Sequence, residues 1–317
     1  MAWYETGMED GVDVGLALDA AAKSALVVPA PELGTLVVTG KDRVTWLNGL
    51  LTCDLAPLPA GGAAYGLFVT QKGRILADAL VLIDEGRVLL AVQSAKLPEL
   101  RESLDRHLIM EDAEVADGAY DVEIVHGPKA PVVLEAVRAA GAHGGVLDRT
   151  GLGGALLFVP AQNLAAVRSA RDAALAGAGG MLGDDRAWEA LRIERRVPQL
   201  GADFDGTTYP QEAGLEKRAI SFSKGCYLGQ EVVCMLEMRG HVKRRLVALA
   251  VRADHPPPHG ADVTDEKGES VGAITSAAIV PSAGGPVALA MVKRAKAENG
   301  LELRVAGATA TVLGAAG

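Results

Sequence analysis

Residues 271–292 carry no charged side chain, yet they cannot form one apolar helix, because Pro281, Gly284, Gly285 and Pro286 interrupt the stretch. Proline removes an amide donor and clashes with the preceding turn, and glycine loosens the backbone. The stretch must therefore divide into two buried strands around a turn, which excludes a membrane span there. The same style continues on both sides from about residue 244. Segments 246–251, 270–279, 287–292 and 301–311 alternate with turns such as His255-Pro256-Pro257-Pro258-His259-Gly260. This predicts a small all-β barrel or sandwich over residues 244–317.

The preceding residues read differently. A strand is expected at 33–38, then a helix capped by Asp42 and running to Leu51 with Val44, Leu47 and Leu51 on one face. Segments 64–69, 74–83 and 87–92, separated by Gln71-Lys72-Gly73 and Asp84-Glu85-Gly86, predict a meander. A helix from Ser94 tolerates Pro98 in its first turns and buries Leu97, Leu100, Leu104 and Leu108. Strands at 119–125 and 155–159 then alternate with helices at 131–140 and 163–176. Residues 176–183 read as a loop, after which Asp184 or Asp185 caps a helix to about Arg195 with Trp188 and Leu191 inward. The fold class is α+β, with residues 1–243 in two parts, about 1–115 and 116–243, ahead of the barrel.

Composition narrows the function. Aromatic residues are only 4% of the chain, so the core is aliphatic and a broad platform for stacking bases is not expected. The net charge of −9 excludes a global basic footprint for nucleic acid. The first eleven residues lack the cationic and apolar pattern of a signal peptide, and three cysteines cannot all pair within one chain, so a reducing cytoplasm is expected. No phosphate-binding loop, dinucleotide fingerprint or cysteine–histidine ligand set is present, and no metal is expected.

One segment is dense in chemistry: Lys224-Gly225-Cys226-Tyr227-Leu228-Gly229-Gln230-Glu231. Read alone, Cys226 is either an inert packing group or a thiol favoured as thiolate by Lys224 and a following helix N-terminus. From Leu215 to Arg245, seven basic residues face three acids, a local +4 that is either a solvated face or a site for an anionic partner. Asp78 lies in an apolar strand, and Glu194 at a helix C-terminus where the dipole disfavours an anion. Each is either ion-paired with a nearby arginine (Arg74, or Arg192 and Arg195) or held for a ligand.

The segment from Lys224 to Glu231 matches the signature K-G-C-Y-x-G-Q-E of the YgfZ-type folate-binding proteins, relatives of the glycine-cleavage T-protein (aminomethyltransferase). Val38 to Asp54 resembles that family's opening V-x-G-x-D-x-x-x-F-L-x-x-x-x-T-x-D, with Trp46 where Phe is usual. Gly73 to Asp78 resembles its G-x-I-x-D-D strand with Ala77 replacing the first acid. Arg186 to Glu194, Met238 to Arg245 and Gly272 to Pro281 are similar to further family segments, so the resemblance spans residues 33–310. It implies a ring-like, multi-part, aminomethyltransferase-like body that holds tetrahydrofolate in a central channel, followed by a C-terminal β-barrel.

By this resemblance Asp78 and Glu194 meet the pterin, with Tyr227, Gln230 and Glu231 near the cofactor. Lys217, Arg218 and Arg239 attract the glutamate tail, and Cys226 is the functional thiol activated by Lys224. The implied activity is that of an accessory factor for iron–sulfur cluster assembly or repair, serving client enzymes that include tRNA-modifying ones. A folate-dependent aminomethyltransferase is the alternative, opposed by the change at Ala77. An RNA-binding module using the +4 stretch ranks third.

Overall fold

The computed structural model describes residues 11–240 and 242–316, with the side chain of Arg239 left out. Helix α1 (Val14–Lys23) starts where the Asp13 carboxylate accepts from the Leu16 amide, and leads into strand β1 (Leu26–Pro29). There follow β2 (Leu33–Thr39), α2 (Arg43–Asn48), β3 (Ala63–Val69), β4 (Ile75–Asp84), β5 (Arg87–Gln93), α3 (Leu97–Arg106) and β6 (Glu114–Asp117). The chain continues through β7 (Tyr120–His126), α4 (Ala130–Ala139), β8 (His143–Val146), β9 (Gly154–Pro160), α5 (Leu164–Ala178), β10 (Met181–Leu182) and α6 (Asp185–Glu194). Short helix α7 (Glu216–Ala219) and α8 (Gln230–Arg239) lead to β11 (Arg244–Val251), β12 (Asp262–Thr264), β13 (Ser270–Val280), β14 (Gly285–Lys293), β15 (Glu302–Val305) and β16 (Ala308–Ala315).

These strands make two open sheets and a barrel. One sheet has the order β3-β4-β5-β2-β6, the other β10-β1-β7-β9-β8, and β11-β14-β13-β12-β15-β16 close on themselves. Side chains alternate across a strand, so each open sheet must cover two faces. The inner faces meet each other, through Tyr65, Leu67, Leu80 and Leu89 on one side and Val122, Ile124, Leu156 and Phe158 on the other. The outer face of the first sheet packs on α2 and α3 through Trp46, Leu47, Leu100 and Leu104, and that of the second on α4 and α5 through Val133, Val137, Val167 and Leu175.

Helix α6 joins the body to the barrel. Ala187, Ala190 and Leu191 pack against α1 and β1, whereas Ile193 packs against Leu246, Val280 and Leu289 of the barrel wall. Between these patches lies Arg192, 1% exposed. Its guanidinium donates to both Glu189 oxygens at 2.6 Å, to Asp203 at 2.7 Å and to Ser276 of β13 at 2.7 Å. Asp203 in turn accepts from the Thr275 and Ser276 hydroxyls. A buried guanidinium is tolerable only when its donors are satisfied in this way.

The meander, the α6 cap and the broken apolar stretch form where their local signals predict, with Asp184 accepting from the Ala187 amide. Elsewhere tertiary contacts override local reading. Helix α2 stops at Asn48 instead of continuing to Leu51, and the Asp42 carboxylate accepts from the Asp112 amide at 2.8 Å instead of capping it. Residues 176–183 are not simply a loop: α5 runs to Ala178, Gly179 takes a left-handed conformation (φ 69°), and β10 pairs in parallel with β1. The segment 301–311 is two strands that turn at Ala306-Gly307, both at positive φ. Among the described residues, no helix is long and apolar enough to cross a membrane.

Candidate functional site

Asp78 faces the inner side of its sheet, where β4 lies opposite β1 and β7, and helix α6 closes the end. A cavity of about 50 Å³, partly open to solvent, lies here. Its apolar wall includes Val28, Leu33, Leu80 and Ile124; its polar groups are Glu32, Asp78, Gln93, His126, Arg149, Asp185, Trp188 and Gln199. Polar groups that converge against an apolar wall are the chemistry of a small-molecule site.

The Tyr65 hydroxyl, one strand over, donates to Asp78 Oδ2 at 3.0 Å and fixes the carboxylate plane. Burial raises the Asp78 carboxyl above its ordinary range, against the opposing influence of Arg149 and the Tyr65 hydroxyl. Arg149 arrives from the turn after β8. Asp148 locks that turn by accepting from the Thr150, Gly151 and Gly153 amides. The Arg149 guanidinium lies 4.7 Å over the Tyr65 ring and 5.7 Å from the Trp188 ring centre, and its buried Nε has no partner among the described residues. His126 stacks on Trp188, ring centres 5.0 Å apart at 9°. Burial, then the neighbouring Arg149 charge, push the imidazole down to about 3, so it is neutral at physiological pH.

The structure does not bring Glu194 to this cavity. Asp185 and Trp188 of α6 line it; Glu194, nine residues beyond Asp185, lies on the opposite face of a helix with 3.6 residues per turn. There it accepts a hydrogen bond from the Ser282 hydroxyl of the barrel, which offsets the unfavourable helix dipole. Neither expected arginine pairs with it: Arg192 bonds Glu189 and Asp203, and Arg195 donates to the Thr150 carbonyl. Asp78 likewise has no bond to Arg74, which pairs with Glu212. Ala77 is fully buried on the far face of β4 with Trp46 and Leu47, so a carboxylate there would enter apolar core and not the cavity. The replacement of an acid by Ala77 therefore leaves the lining of the cavity unchanged.

The dense segment fastens its loop to residues 48–53. Lys224 is buried, and its ammonium donates to the carbonyls of Asn48 (2.6 Å), Leu51 (2.8 Å) and Cys53 (2.7 Å) and to Asn48 Oδ1 (3.0 Å). All four bonds go to residues 48–53, and among the described residues none joins Lys224 to Cys226, so the structure holds no contact for the expected activation. Residues two apart in an irregular segment need not share a direction, and three carbonyls around one ammonium compensate its desolvation. Further bonds from Ser221 to Thr52 and from Leu228 to Gly49 strap the same loop. Burial, before any electrostatic influence, lowers the Lys224 ammonium below its ordinary range and pushes the Cys53 thiol up to about 11.

Cys226 itself is exposed. Gly229 has φ 78°, and a Cβ there would meet the Thr70 carbonyl at 2.4 Å; one at Gly225 would meet nothing within 4 Å. Tyr227 is a core residue with a buried hydroxyl that has no partner among the described residues, while Gln230 and Glu231 begin α8. None of Lys224, Cys226, Tyr227, Gln230 and Glu231 lines the Asp78 cavity.

Much of the +4 stretch is consumed internally. Arg244 pairs with Glu212 and Arg245 with Glu216, both carboxylates nearly buried. Arg218 donates to the carbonyls of Arg149 and Arg195, a support for the cavity's arginine and not a free anion site. Lys217 and Lys243 remain exposed, and the Arg239 side chain lies outside the described residues. Sequence reading missed Tyr65, His126, Arg149, Gln93 and Gln199; the Asp148-Arg149-Thr150-Gly151 turn was the one local signal available for any of them.

Residues 3–143 match the GCVT N-terminal domain and residues 244–314 the glycine cleavage T-protein C-terminal barrel domain. The chain is 29% identical over 318 residues to an aminomethyltransferase of Nostoc sp., covering 91% of this chain and 83% of that one. It is 31% identical over 250 residues to the tRNA-modifying protein YgfZ of Sodalis glossinidius, covering 74% of each. Its fold is similar to the crystal structure of the glycine cleavage system aminomethyltransferase T from Bartonella henselae, with a TM-score of 0.80, 21% identity, and coverage of 95% of this chain and 88% of that one.

Proposed function

Because the chain belongs to the YgfZ-type relatives of the glycine-cleavage T-protein, we propose that it binds a reduced folate between its two sheets and acts as an accessory factor for iron–sulfur cluster assembly or repair in support of tRNA-modifying enzymes. The observation that carries the folate part is the convergence of the Asp78 carboxylate and the orphaned Arg149 Nε on one apolar-walled cavity. Buried polar atoms left without partners are costly unless a ligand or water meets them.

The groups present suit a reduced pterin. Asp78, its plane set by Tyr65, can accept two hydrogen bonds from adjacent ring donors, and the raised carboxyl gains from such donors in its ionised form. Arg149 supplies a donor from the opposite side, and Gln93 and Gln199 add amide groups to the lining. A bound tetrahydrofolate would supply the carrier for a one-carbon unit. Cys226, exposed on its Lys224-anchored loop, is the group through which a client protein is met.

Calorimetric titration with 5-formyltetrahydrofolate tests the reading. Binding to wild type, at least tenfold weaker in Asp78→Asn and unchanged in Glu194→Gln, is expected, with the tenfold figure resting on about 1.4 kcal/mol for a charged hydrogen bond. No binding to wild type would overturn it. For the accessory role, cells carrying Cys226→Ala should show impaired iron–sulfur client enzymes.

A second reading, aminomethyl transfer, is favoured by the orientation of Ala77, since Asp78 is the carboxylate that β4 presents to the cavity. It predicts methylene-tetrahydrofolate and ammonia from an aminomethyl-lipoyl carrier. Under the first reading neither product forms.

A further inference from the structure

We infer that His126 contacts the molecule bound beside Asp78, recognising an uncharged edge that pairs a hydrogen-bond donor with an acceptor, such as a lactam or carboxamide. His126 ends β7 and lines the cavity. It is 1% exposed, and both its ring nitrogens are buried without a hydrogen-bond partner among the described residues. A core histidine kept only for packing ordinarily satisfies at least one nitrogen, because each buried orphan costs the desolvation of that group. Here both are left open, beside an Arg149 Nε in the same condition.

The ring is also held in place for contact. It stacks on Trp188, whose own Nε1 donates to Gln199 Oε1 at 3.1 Å, so neither ring is free to turn without breaking the other's support. A neutral imidazole offers one N–H and one lone pair. Burial, and then the adjacent guanidinium, oppose a second proton, so the ring cannot serve as a double donor to an anion. That selects a ligand group of mixed polarity and leaves anionic groups to Arg149.

The assignment rests on the folate reading for the identity of the ligand, and its test separates the two. The full-length protein is titrated with 5-formyltetrahydrofolate as wild type, His126→Phe and His126→Gln. Phenylalanine keeps a ring against Trp188 and offers no hydrogen bond; glutamine restores a donor and an acceptor. About tenfold weaker binding is expected for His126→Phe, with part of it recovered in His126→Gln. In wild type labelled with ¹⁵N-histidine, the His126 ring nitrogens should shift on addition of the folate, a response that a purely structural role would not produce. Should a variant not fold, the wild-type spectrum alone decides. Undiminished binding by His126→Phe, or unmoved His126 ring signals with folate bound, overturns this assignment and leaves the folate reading standing. Absence of binding by wild type overturns both.

Discussion

Acid should weaken this protein through His126, by an amount that can be worked from its surroundings. Unfolded, the imidazole titrates near its ordinary 6.5; folded, burial and then Arg149 hold it to about 3. Above 6.5 the ring is neutral in both states, and its contribution to stability is fully present. As pH falls below 6.5 the unfolded chain takes up a proton that the folded one refuses, so stability declines until about pH 3. The slope is about 1.4 kcal/mol per pH unit, hence about 2 kcal/mol between pH 7.5 and 5.0. His126→Phe preserves the stacking on Trp188 but cannot titrate. Urea unfolding of both proteins at the two pH values, followed by tryptophan fluorescence, should therefore show wild type losing about 2 kcal/mol more than the variant on acidification. Identical pH dependence in the two proteins, or a His126 resonance that titrates near 6.5 in the folded state, would refute the reasoning.

Three other outcomes can be checked directly. Arg192→Met should destabilise by about 3–5 kcal/mol in urea, because it strands the buried Asp203 carboxylate between α6 and β13; a loss under 1 kcal/mol would show the network to be dispensable. Gly229→Ala should lower the melting temperature because its Cβ meets the Thr70 carbonyl at positive φ, whereas Gly225→Ala, in open space, should not. In iodoacetamide time courses read by mass spectrometry, Cys226 should be modified well before Cys53, which is buried and pushed up to about 11; the reverse order would contradict the exposures.

The sequence by itself determined what short-range physics can specify. Three strands separated by glycine turns could only become a meander, the Asp184-Asp185 pair marked the start of a helix, and an uncharged run split by Pro281, Gly284, Gly285 and Pro286 could only fold back on itself. Asp78 stood out because a carboxylate in an apolar strand demands an explanation wherever it sits. What only the tertiary structure decided was direction and company. Cys226 and Lys224 are neighbours in sequence, yet the ammonium reaches the carbonyls of residues 48–53. Glu194 and Trp188 share one helix but face the barrel and the cavity respectively. His126 and Arg149 come from a strand end and a turn of the second sheet to meet Asp78 of the first, and β10 exists because β1 is there to pair with it. Turn and cap preferences act over a few residues and can be read in order along a chain, whereas the choice of which buried polar atoms face one another follows from how two sheets and a helix pack, a contest among contacts distant in sequence.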